Sequence, residues 1–240
     1  MIIEAVTEGL ALVAGPSTIS EMKKLISLIE KYNVNKIFID GALFRKSIAS
    51  FKIADAAILS TGASYNPSMK KVVNDTTLLL DELTLPKAPE SIIDSLHNED
   101  KSIVIDKDNN KAVIELDTLL SNEEIVKKLL NSNTRYLYIA GALSNKLIHI
   151  IIDKRFELNK LTVIVKDATH IIVDIGYLEK LKLTNTKLCV INKINMLLLT
   201  YNPYSPHGYE FNNEEFKNLL KEKTKLPVIN VLKDLEWYYE

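Results

Sequence analysis

Cysteine is almost missing from this chain. Cys189 is the only one in 240 residues, so no disulfide framework can form. It lies in the apolar run LCVIN, where a buried, reduced thiol is expected rather than a nucleophile. Arginine is nearly as scarce, limited to Arg45, Arg135 and Arg155. Thirty basic residues stand against 31 acidic ones, a net charge of −1, so there is no general field to hold nucleic acid or an anionic membrane, and neither is expected as a partner. No apolar run approaches the ~20 residues that cross a bilayer, and the amino terminus shows no basic region followed by a long apolar one, which predicts a cytoplasmic protein. Two motifs are also lacking. Without a G-x-x-x-x-G-K-[ST] loop there is no amide cradle for a phosphate chain, and without a G-x-S-x-G elbow a serine triad has no support.

What is present is enough apolar material, 47% of the residues, to core one large or two small globular domains. The most organised stretch is KIFIDGALFRKSIASFKIADAAILSTGAS, from Lys36 to Ser64. Ile37–Ile39 form a short apolar run that ends in Asp40 and turns through Gly41 into a segment with Arg45, Lys46 and Ser47. Ala56–Leu59 form a second run that ends in Ser60, Thr61 and Gly62. This predicts strand, turn, short helix and strand, with polar residues gathered at the carboxyl ends of the strands, the edge where open α/β sheets bind ligands.

A related pattern recurs one hundred residues on. Tyr136–Ile139 lead into Ala140, Gly141, Ala142 and Leu143, so Gly-Ala-Leu appears at both 41–43 and 141–143, and Thr162–Val165 then lead into Lys166, Asp167, Ala168 and Thr169. An internal duplication of a strand-Gly-helix-strand unit is the economical explanation. Its polar residues differ, since Ala140 stands opposite Asp40 and Asn145 opposite Arg45, while Lys46 and Lys146 agree.

The remaining signals are local. Ile2–Thr7 and Leu10–Ala14 predict a hairpin. Ser17 caps a predicted amphipathic helix over 18–32, and Asn66-Pro67 open another that runs to about Glu82. Two prolines in Leu83–Pro89 mark the expected boundary between domains at 1–85 and 86–240. A short helix holds Ile92, Ile93 and Leu96, with a solvated His97 at its end. Runs at 102–105 and 112–116 predict a second hairpin or a surface flap, and Ser121 with Glu124 a capping box. Strands are predicted at 188–191 and 196–200, a structured loop at 201–208, a helix from Asn212 and a last strand at 227–231, with Trp237–Tyr239 as a packing tail. The whole is expected to be an α/β fold with a mostly parallel sheet covered by helices on both faces.

Asp40 at a strand end could present a carboxylate to magnesium or its water shell, or merely cap a turn. Arg45, Lys46 and Ser47 one helical turn on could hold an anion, Arg by its fork and Lys as a point charge, or form a solvated helix face. Thr61 and Gly62 offer hydroxyl and backbone donors suited to phosphate or carboxylate, or simply form a strand-to-helix turn. Gly141, Lys146, Asp167 and Thr169, with His170, make a smaller set in the second unit, where a Lys-Asp pair is expected as a structural ion pair rather than an acid–base couple. Asn202 and His207 belong to the loop after the 196–200 strand, where His207 is expected to be exposed, whereas His149 in LIHIII is expected to be packed.

The segments LALVAGPS, IFIDGALFRKS, DAAILSTGAS, VIVKDAT and YNPYSPHGYEF, spread over most of residues 5–232, resemble the lysine 5,6-aminomutase reactivase family, in its subunit that is not MutS-like. The resemblance implies an accessory factor that maintains an adenosylcobalamin-dependent mutase, with the aminomutase and a MutS-like ATPase as partners. It also implies an amino-terminal P-loop segment, in the style of dethiobiotin-synthetase-like NTPases, that would bind ATP and magnesium and would put Asp40 in a Walker-B-like position. This chain starts where that segment should end, so autonomous ATP hydrolysis is not expected from it. Two other functions fit the residues by themselves: an enzyme or binding protein for a nucleotide or phosphorylated ligand around Asp40, Arg45, Lys46 and Thr61, and a structural dimerisation module, which would make the chain a homo-oligomer.

Overall fold

The computed structural model describes residues 7, 15–16, 18–40, 53–96, 99–115 and 123–234, and the chain divides into two compact units, Met1–Ile48 and Ala49–Glu240. In the first unit, helix α1 spans Ile19–Ile29 and tightens into a 3-10 turn over Glu30–Tyr32. Its cap is Thr18, not Ser17. The Thr18 hydroxyl accepts from the Glu21 amide (3.2 Å) while the Glu21 carboxylate accepts from the Thr18 amide (3.2 Å), so two otherwise orphaned donors are satisfied reciprocally. Asn33, left-handed at φ 56°, ends the helical run. Met22 is the buried residue of α1.

Residues 36–40 correct the expectation of a strand. They run irregularly, and Phe38 is 84% exposed. A strand must satisfy its backbone groups on a neighbour, and none of the described strands pairs with this segment.

The second unit opens with β1 (Ala57–Gly62), α2 (Met69–Leu83), α3 (Glu90–Leu96), β2 (Ser102–Asp106) and β3 (Lys111–Ile114). Then follow α4 (Glu123–Leu129), β4 (Thr134–Ile139), β5 (Leu143–Ser144), α5 (Asn145–Asp153) and β6 (Thr162–Val165). The last part comprises β7 (Ile171–Ile172), α6 (Ile175–Lys182), β8 (Lys187–Val190), β9 (Met196–Asn202), α7 (Asn213–Lys223) and β10 (Val228–Asn230). One sheet has the order β1-β9-β10 and is parallel throughout. The second has the order β3-β2-β4-β6-β8. Its β2–β3 hairpin is antiparallel, as the alternation predicted, β2 is also antiparallel to β4, and β4, β6 and β8 are mutually parallel. A small parallel pair, β5–β7, links the loops that follow β4 and β6.

Side-chain alternation divides the second sheet between two cores. Ile103, Ile105, Tyr136, Tyr138, Ile164 and Cys189 pack with Ile92, Ile93 and Leu96 of α3. The intervening Val104, Leu137, Ile139, Val163, Val165 and Val190 belong to the larger core shared with the buried leucines, isoleucines and valines of α2, α4 and α5. Both faces are therefore covered, which explains the nearly continuous apolar runs of β4 and β6. Cys189 is free and buried as expected, and burial pushes its thiol upward against the weaker opposing pull of Lys187.

The start of helix α2 differs from the sequence expectation. Helix α2 is capped by Ser68, whose hydroxyl accepts from the Lys71 amide. Asn66 instead closes a turn by accepting from the Ser68 amide (2.9 Å), so Pro67 precedes the helix. Pro86 and Ala88 add a short edge to the second sheet, because the Val190 amide donates to Pro86 (3.0 Å) and the Ala88 amide to Val190 (2.8 Å). On either side of that stretch, β1 pairs with β9. The predicted strand, Gly-turn, helix and strand of the second repeat are present as β4, the bend at Gly141, α5 and β6. The proposed amino-terminal hairpin, Ser121, His97 and Trp237–Tyr239 lie outside the described residues. Among the described residues, no helix is long and apolar enough to cross a membrane.

Candidate functional site

At the carboxyl edge of the first sheet, parallel pairing sets Thr61 beside Tyr201 and Gly62 beside Asn202. Thr61 is half-buried and its hydroxyl is bonded to that of Thr76 on α2 (2.7 Å). Gly62 is buried because β1 and β9 approach closely: a Cβ there would come within 2.5 Å of the Asn202 carbonyl oxygen. That oxygen also accepts from the Ala63 amide (2.9 Å). The Asn202 side chain accepts from the Tyr204 amide (3.0 Å), and the Tyr209 hydroxyl donates to the Ala63 carbonyl (2.6 Å). This glycine answers to strand packing. Further along the same edge, fully buried Asn230 donates to the Asn213 side-chain oxygen (2.8 Å), which also accepts from the Tyr201 hydroxyl (3.1 Å).

At the carboxyl edge of the second sheet, Asp167 follows β6 and is completely buried. It caps the 3-10 turn Ala168–His170. One of its oxygens accepts from the Thr169 amide (2.9 Å), the Thr169 hydroxyl and His170 Nδ1 (3.0 Å). Burial alone would raise the Asp167 carboxyl, but the hydrogen bonds from His170 and Thr169 outweigh it and hold the group below the usual carboxylate range. An ionised carboxylate can only accept, so Nδ1 must carry the proton. In the tautomer that is neutral with Nδ1 protonated, Nε2 is an acceptor, and it has no hydrogen-bond partner among the described residues. The spacing D-x-T-H carries this pair: an acid capping a tight turn brings a histidine three positions later back onto its own oxygen.

Other polar residues near this edge have partners of their own. Lys146, in the first turn of α5, approaches Glu123 (3.4 Å). Asn145, the counterpart of Arg45, is tied to Asp174 by a side-chain bond of 2.7 Å and by the Asp174 amide at 2.9 Å. Lys166 lies 3.7 Å from Asp100. His207 is exposed as predicted, on a loop turned by Gly208 at φ 85°. His149 corrects its expectation: it faces solvent on α5 and contacts Asp153 (3.1 Å), because the helical turn puts it opposite the buried Leu147, Ile148, Ile150 and Ile151.

Asp40 is exposed and lies in the irregular segment of the first unit, not at a strand end. Gly41, Arg45, Lys46 and Ser47 fall outside the described residues. Among the described residues, no three His, Cys, Asp or Glu side chains converge as metal ligands. Of the residues expected around magnesium or a phosphate, Gly62 is closed in by the neighbouring strand and Asp40 lies in the irregular segment.

The fold and its two sheet edges define an α/β protein built mainly on parallel strands. No family model, curated protein or solved structure matches the chain.

Proposed function

We propose that this chain is an accessory protein that works by binding other proteins, as its resemblance to the aminomutase reactivase family implies. Its task would be to maintain a cobalamin-dependent amino-acid mutase of the lysine 5,6-aminomutase type together with a MutS-like ATPase. The supporting observation is the use made of the polar groups at the described sheet edges. Thr61 is bonded to Thr76, Asn202 to the Tyr204 amide, and Asp167 to Thr169 and His170. Groups committed to one another in this way stiffen a surface, and a stiff surface suits docking because it loses little freedom on association.

The test is a reactivation assay. Aminomutase inactivated by turnover is incubated with fresh adenosylcobalamin, Mg-ATP and the MutS-like ATPase, with or without this chain. Recovery of activity is expected only when both proteins are present. Equal recovery without the chain, together with no co-elution with either protein, would overturn the proposal. A second reading, an enzyme or binding protein for a phosphorylated ligand, is favoured by the Asp167–His170 pair, which has the geometry of an oriented general base. Calorimetric Mg-ATP binding by the chain alone that His170→Ala abolishes would support it.

A further inference from the structure

The amino-terminal ends of β4 and β6 carry a feature that neither sheet-edge site uses. Because β2 runs antiparallel to β4 and β4 parallel to β6, the turn after β2, the start of β4 and the turn before β6 share one edge of the sheet. These three segments bring Lys107, Arg135, Asn159 and Lys160 around a recess of about 260 Å³. The Lys107 amide donates to the Asn133 carbonyl (3.0 Å), which ties the first two segments together.

No acid lines the recess. Among the described residues, none of its three cations has a carboxylate within the 4.0 Å of an ion pair. Neighbouring lysines are treated differently: Lys101 pairs with Glu115, Lys127 with Glu123 and Lys154 with Glu157. The chain as a whole is close to neutral, so three unneutralised cations around one recess are a local departure from its charge pattern. Water and salt screen their mutual repulsion in part, and a bound counter-anion would reduce it further. Two features preset the groups. The Arg135 guanidinium lies 5.1 Å from the centre of the Tyr136 ring, a cation–π contact that favours this position. Lys160 adopts a left-handed backbone at φ 59°, unusual for a lysine and costly unless its surroundings hold it.

We infer that this recess binds a small phosphate-class anion of two or more charges, such as a phosphate ester or a diphosphate. Arg135 supplies a planar fork for two oxygens, Lys107 and Lys160 supply point charges, and Asn159 supplies an amide donor. The volume admits a phosphoryl group with a small substituent and excludes a duplex or a helix. The site lies at the opposite edge of the sheet from the Asp167 cluster, so it does not depend on the proposed accessory role.

Sodium pyrophosphate is the probe, titrated calorimetrically at constant ionic strength maintained with sodium chloride. Saturable binding at one site per chain is expected, and Arg135→Gln should weaken it at least ~10-fold, the scale of one lost charged contact. Lys160→Gly should also weaken binding while leaving the melting temperature unchanged or higher, because glycine adopts this backbone without strain. That combination separates a lost charge from a lost fold. Heats no different from those of sodium chloride at equal ionic strength would overturn the inference. So would pyrophosphate binding left unchanged in the double variant Arg135→Gln, Lys160→Gly.

Discussion

At the scale of single residues, Asp167 is the most constrained acid in the described structure. It is buried completely, which penalises its charge, yet three donors converge on one of its oxygens. Its folded pKa is therefore below its unfolded one. The sign of the linkage follows: the stabilisation is complete above the ordinary carboxylate pKa and is lost as pH falls through the lowered value. Asp167→Asn keeps the size and removes the charge. It is expected to cost about 1–3 kcal/mol at neutral pH, and the gap to wild type should close in acid. Urea unfolding of both proteins over a pH series is the measurement, and a gap independent of pH would show that charge is not what Asp167 contributes. The sequence made Asp167, Thr169 and His170 visible as a polar set after a strand. It did not reveal that Asp167 is answered by His170 and Lys146 by Glu123, because those choices depend on turn geometry and on the packing of α4 against α5.

At the scale of elements, the β1–β9 pair explains why a residue that looked like a ligand-binding glycine is structural. Thr61-Gly62 at a strand end suggested a phosphate cradle, but the register places Gly62 opposite Asn202, 140 positions away in the chain. Gly62→Ala is expected to destabilise by about 1–3 kcal/mol, because the partner atom is backbone and cannot swing aside. Gly176 in α6 is the control: nothing lies within 4 Å of a Cβ there, and Gly176→Ala should stabilise by about 0.5–1 kcal/mol through helix propensity. Urea midpoints of the two variants check both, and a neutral Gly62→Ala would mean that β1 and β9 can part without penalty. Local signals read these elements well. The hairpin β2–β3, the Asn212 cap of α7, whose side chain accepts from the Glu215 amide (3.0 Å), and the apolar runs of β4 and β6 all stand where periodicity and capping placed them. The failure was Lys36–Asp40, where an apolar triplet resembled a strand but found no ladder among the described strands.

At the scale of the whole molecule, both cores are assembled from residues between Leu59 and Val228, all within the second unit. A fragment comprising residues 49–240 is therefore expected to unfold in one cooperative thermal transition followed by circular dichroism. A broad, non-cooperative transition would show that the first unit contributes to the core. The sequence by itself determined the α/β class, most helices and strands of the second unit and the buried state of Cys189. These follow from apolar spacing and caps, which act over a few residues. Only the tertiary structure decided the order β3-β2-β4-β6-β8, the contact that requires Gly62 and the meeting of Lys107, Arg135 and Lys160 at one recess. Each of those joins residues far apart in the chain, and no local pattern records which strand lies beside which.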